Sequence, residues 1–110
     1  MTTSPTVDAL DTKVQEFRLE HRRRTFVDEL THLVTALGRI PDLPPADFSP
    51  GDRERLRELA DEIVESIERR LDSDQDSESA KQHLASTIYE VRRRMEVIDA
   101  WFAHGGATPP

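Results

Sequence analysis

Residues 4–37 read SPTVDALDTKVQEFRLEHRRRTFVDELTHLVTAL, and this stretch decides the fold because it carries two apolar stripes where a simple surface helix carries one. Val7, Leu10, Val14, Phe17 and then His21 recur at alternating spacings of three and four, which is one face of a helix. Leu19, Phe26, Leu30, Leu33 and Leu37 recur at the same period, and Val27 and Val34 widen that stripe. At about 100° of rotation per residue, the second set lies on roughly the opposite side of the helix from the first. One packed neighbour cannot cover both sides.

The ends of this stretch are well marked. Ser4 before Pro5 is a helix start: the hydroxyl can accept a free backbone N–H, and a proline at the first position has none to leave unsatisfied. Asp8 and Asp11 follow in the early turns, where the helix dipole favours acids. The pattern predicts one unbroken helix over residues 4–37 with Gly38 as its terminator, because no Gly or Pro interrupts it and Arg is a good helix former. The competing reading is a break between Glu20 and Thr25, with Thr25 capping a new helix and Asp28 in the capping-box position.

Beyond Gly38, prolines 41, 44 and 45 make residues 39–49 a stiff connection. Its Ile40, Leu43 and Phe48 are apolar enough to close the end of a bundle. Ser49-Pro50-Gly51-Asp52 repeats the start signal, a serine cap and an acid three residues on. The helix over 49–72 then shows a single stripe of Leu56, Leu59, Ala60, Ile63, Ile67 and Leu71, broadened by Val64. Its charged residues are placed as an ordinary solvated face, several of them at i,i+4. After an acidic turn comes a helix over 77–104, with the most regular stripe in the chain: Ala80, Leu84, Ile88, Val91, Met95, Ile98 and Phe102. Residues 1–3 are expected to be disordered, residues 4–104 a single helical domain, and 105–110 a flexible tail.

Composition agrees with an all-α chain. Of the 110 residues, 34% are charged and 35% hydrophobic, as when helices expose wide polar faces. The net charge of -7 disfavours nucleic acid and anionic membrane as partners, since both repel such a surface. With no cysteine, disulfides, thiolate metal sites and a cysteine nucleophile are excluded. No signal-peptide pattern opens the chain and no apolar run approaches a membrane span, so a cytoplasmic protein is expected.

Together these features predict an antiparallel three-helix bundle whose long N-terminal helix projects beyond it. The middle helix should be on the order of 33 Å long at 1.5 Å per residue. The same length measured back from Gly38 ends near Phe17, so residues 4–17 would stand clear. Leaving their large apolar side chains in water forgoes ~1.5–3 kcal/mol each. A homodimer or higher homo-oligomer, merging into a larger helical bundle, would cover them, as would a larger protein partner. The expected interface is therefore Val7, Leu10, Val14, Phe17 and His21, with Val97 and Trp101 as a second contact.

Other constellations are weaker. Glu29 and His32 form a Glu-x-x-His pair on one helix face, half of the ligand set of a carboxylate-bridged di-iron bundle, which a dimer could complete. Against it, both lie off the Leu30–Leu37 stripe, and inward glutamates are lacking. The triplets Arg22, Arg23, Arg24 and Arg92, Arg93, Arg94 could contact an anion if they met at one height. More simply, their stems cover the core edge. The acids from Asp61 to Glu68 come nearest to the magnesium-facing clusters of small helical nucleotide-processing enzymes, but they spread around the outer face. Phosphate-binding loops and nucleophile motifs are absent. The sequence thus favours a non-catalytic, self-associating accessory, adaptor or regulatory subunit with no cofactor. The alternatives are the metal-binding bundle and the small nucleotide-processing enzyme.

Overall fold

The leading stretch breaks. In the computed structural model, which describes residues 4–20, 23–73 and 76–104 (apart from the side chains of Arg23 and Arg24), helix α1 spans Pro5–Arg18 and helix α2 spans Arg23–Arg39. The last turn of α1 tightens: the Leu19 N–H donates to the Glu16 carbonyl at 3.2 Å and the Glu20 N–H to the Phe17 carbonyl at 3.0 Å. Bonds of this i→i−3 kind satisfy carbonyls at a helix end. The chain then turns back, and the Phe17 and Phe26 rings meet with centroids 4.6 Å apart.

Energetics explain the break without any Gly or Pro. Two stripes on opposite sides of one rod cannot share a core, whereas a fold at Leu19–Glu20 brings both to the same core. Burying Val7, Leu10, Val14 and Phe17 is worth roughly 6–12 kcal/mol in all. Interrupting the helix forfeits up to four backbone hydrogen bonds at a net value of about 1 kcal/mol each. Burial wins. The expected unbroken, projecting helix over 4–37 is thereby corrected to two helices, and the three-helix arrangement to four. Leu19, assigned to the second stripe, is 77% exposed at the turn.

Two turns of 3-10 helix, Ile40–Asp42 and Pro45–Asp47, carry the connection to α3 (Pro50–Asp72), and α4 spans Glu78–Ala103. No strand occurs among the described residues. The expected ends of the two later helices agree with these within about a residue. Gly38, expected to end the first helix, lies inside α2. A Cβ there would run into the Arg94 guanidinium, so glycine leaves room for the tip of that side chain, which reaches across from α4. The helix is stopped instead by Pro41, which has no N–H to continue it.

Cross-links set the topology. α1 and α3 run in the same direction, joined by Ser4 to Asp52, Asp11 to Arg55 and Arg18 to Glu62. α4 runs against α3, with Arg53 and Arg57 both reaching Asp99 at 3.0 and 2.8 Å. α2 closes the ring beside α1 and α4. One core cluster unites α1 residues Val7, Leu10, Val14 and Phe17 with Phe26, Leu30, Leu33, Leu56, Ile63, Leu84 and Ile98. Leu43 and Phe48 pack on its edge, as the apolar linker residues suggest. The disorder expected at 1–3, the flexible tail expected at 105–110 and the role given to His21 lie outside the described residues.

Candidate functional site

Folding α1 back leaves a seam between α1 and α2 on the side away from α3. The residues along it are small: Thr6 and Ala9 on α1 and Ala36 on α2. Large residues of both helices point inward instead, so the seam opens into a groove of about 600 Å³. Leu10, Leu33 and Ile40, all buried, form its floor. Lys13 stands on the α1 lip, and Glu29 and His32 stand on the α2 lip. Past Thr6, His32 and Ala36 the groove continues into a second depression of about 880 Å³ edged by Thr35, Arg39, Asp42 and Leu43.

The register of the groove follows from the Phe17–Phe26 contact. Lys13 is four residues back from Phe17, and Glu29 is three residues on from Phe26. At 1.5 Å per residue these offsets are about 6 and 4.5 Å, so the two come to similar heights along the groove they both line. Lys13 is exposed and Glu29 half-buried, and neither is held in an ion pair among the described residues.

The sequence-derived interface fares differently, residue by residue. Val7, Leu10, Val14 and Phe17 are buried against α2 and α3 of their own chain. The unpaired stripe that called for a partner already has its cover, so these four are core residues. Val97 and Trp101 part company. Trp101 is buried under the linker, its ring edge-to-face with Phe48 at 5.4 Å and with Phe102 at 4.9 Å. Val97 remains 52% exposed on α4.

The described parts of the two arginine triplets lie at opposite ends of α2. Arg94 packs against Gly38, near the end of α2, whereas Arg23 and Arg24 are at its start. The two places lie roughly 20 Å apart along the helix. Arg22 and the side chains of Arg23 and Arg24 lie outside the described residues. Arg92 and Arg93 are exposed.

Nor does the groove assemble reactive chemistry. Glu29 and His32 share a lip, but no group of three or more His, Asp or Glu that could hold a metal is found among the described residues. On α3, Asp61, Glu65 and Glu68 face outward. Glu62 accepts from Gln15 Nε2 at 3.1 Å and from Arg18 at 3.4 Å. The acids of that helix are spread or engaged with α1 rather than gathered around one point.

What the arrangement can do is receive side chains. An apolar floor, small residues that let a backbone come close, and charged lips of both signs suit a helix laid into a groove. The sequence reading missed Thr6, Ala9, Lys13 and Ala36 as surface features. Small residues at positions 6 and 9 were the available signal, but they mark a groove only once α2 is known to lie beside them. Among the described residues no helix is long and apolar enough to cross a membrane. Comparison with family models, curated proteins and solved structures returned no match.

Proposed function

We propose that the chain is a non-catalytic protein–protein interaction module, an accessory, adaptor or regulatory subunit, and that the α1–α2 groove is its binding element. One observation carries this reading: an open apolar channel with small-residue walls and charges only at its lips. A reacting site gathers a nucleophile, a base and charge-stabilising donors around one point. Here the polar groups stand along two rims and the floor is hydrocarbon. The occupant is a helix, whether from another copy of the chain or from a different protein.

The test uses a displayed library of amphipathic helical peptides, with selected binders mapped by amide chemical shifts. Binders should perturb Ala9, Leu10, Leu33 and Ala36, and Ala36→Trp, which fills the channel, should abolish binding while the melt stays cooperative. Selected peptides that map to α3 or to the outer face of α4 would overturn the reading.

A further inference from the structure

We infer that the partner at the groove is a second copy of the chain, the two meeting lip to lip about a twofold axis parallel to the helices, with α1 of each lying along α2 of the other. The inference rests on the interaction-module reading and adds the identity and register of the partner. Its basis is the level placement of opposite charges. Lys13 and Glu29 stand on opposite lips at similar heights, and neither is engaged in an ion pair among the described residues. Rotation by half a turn about an axis along the channel keeps heights and exchanges left for right. It sets α1 antiparallel against the α2 of the other copy. Lys13 then faces the partner's Glu29, and Glu29 faces the partner's Lys13, as an isologous interface requires.

The same rotation brings the small wall residues into opposition. Ala9 arrives opposite the level of His32 and Leu33, and Thr6 opposite Ala36, so the exposed His32 ring meets small residues rather than another bulky side chain. An axis across the helices would invert the heights and forgo both charge pairs.

Electrostatics favour this face over the acidic α3 face. The chain carries a net charge of -7, so two copies repel over most of their surfaces. On α3, Glu54, Glu58, Asp61, Glu65 and Glu68 are exposed. The channel is balanced by contrast, with Lys13 and Arg39 against Glu29 and Asp42. It is a place where two acidic molecules can approach with attraction. Two helices side by side, about 10 Å wide each and roughly 25 Å long, offer on the order of 500 Å² per copy. That is the low end for a specific interface, so the dimer should dissociate on dilution.

The experiment is sedimentation equilibrium of the full chain at low salt over a range of concentrations, repeated with Lys13→Glu and with Glu29→Lys. Each variant alone sets like charges face to face at both pairs and should weaken association at least tenfold. Mixing the two restores both pairs. The acid introduced on one copy meets the lysine introduced on the other, and at the second pair the native Glu29 of the first meets the native Lys13 of the second. The mixture should therefore dimerise within about threefold of the wild type. Because each variant serves as the other's control, misfolding cannot imitate that recovery. A wild type that stays monomeric at the highest concentration, or a mixture that fails to recover, overturns the inference. The peptide-mapping result with Ala36→Trp would still stand or fall separately.

Discussion

The backbone N–H of Ser4 donates to Asp52 Oδ1 at 3.2 Å, while the other carboxylate oxygen of Asp52 accepts the Ser49 N–H at 2.8 Å. One buried carboxylate thus ties the start of α1 to the start of α3. The Ser-Pro-Gly-Asp signal accounts for the local half of this, the reach back from Asp52 to the Ser49 N–H. The bond to Ser4 is tertiary, and it fixes the end of the helix that the chain turns back. Asp52→Ala leaves two donors without their acceptor, and Ser4 is itself buried. The expected loss is about 2–3 kcal/mol in urea unfolding. Asp52→Asn, which keeps an acceptor oxygen, should lose less.

Phe17 and Phe26 close the α1–α2 turn, and Phe17 is fully buried. Phe17→Ala should cost on the order of 3–5 kcal/mol. Phe17→Asp should abolish the cooperative thermal melt followed by circular dichroism. Were the unbroken rod present instead, that variant would change only the assembly state and leave the melt intact, so the two architectures give opposite results.

Arg70 and Asp76 form an ion pair at 2.8 Å with side chains only 8% and 3% exposed. The Arg70 guanidinium also lies over the Phe26 ring, 5.1 Å from its centroid. Asp76→Ala removes a carboxylate that is bonded to a guanidinium held away from water, and it should lose on the order of 2–3 kcal/mol. Glu54→Ala, which removes the exposed Arg57–Glu54 pair, should change stability by less than about 1 kcal/mol. Parallel urea titrations check the contrast.

Arg55 reaches Asp11 at 2.7 Å across the α1–α3 interface. The hydrogen bond from Arg55 holds the Asp11 carboxyl below its ordinary value of 3.8, against an opposing push from burial. A carboxyl whose pKa is depressed by folding stabilises the fold above the unfolded value, and that contribution fades as pH falls through the folded value. The loss therefore belongs to strongly acidic solution, below about pH 4, and neutral pH leaves it untouched. Carbon-detected titration of the Asp11 carboxyl should show the depressed midpoint, and Arg55→Ala should return it toward the ordinary value.

Much of the local structure was legible because it depends on short-range chemistry. Ser4-Pro5 begins α1, with the Val7 N–H donating to Ser4 Oγ at 3.2 Å. Ser49-Pro50 begins α3 and Ser77 caps α4, its Oγ accepting from Ala80. The stripes were legible as well: Phe26, Leu30, Leu33 and Leu37 are buried, as are Leu56, Ile63 and Ile67 and the run from Leu84 to Ile98 through Val91 and Met95. The paired stripes of residues 4–37 even identified the conflict that one straight helix creates. Their resolution by assembly, however, was only one of two available solutions.

The amino-acid sequence by itself determined where α1, α3 and α4 begin, which faces are apolar, and that the first apolar face needs cover. It did so because caps, proline and periodicity act within a few residues. Only the tertiary structure decided that the cover comes from within the chain. No residue at Leu19–Glu20 forces a break; the helix opens there because burial of Val7, Leu10, Val14 and Phe17 on α3 outweighs a few backbone hydrogen bonds. The α1–α2 groove exists for the same reason, since two surfaces far from each other on a straight rod become neighbours only when it folds.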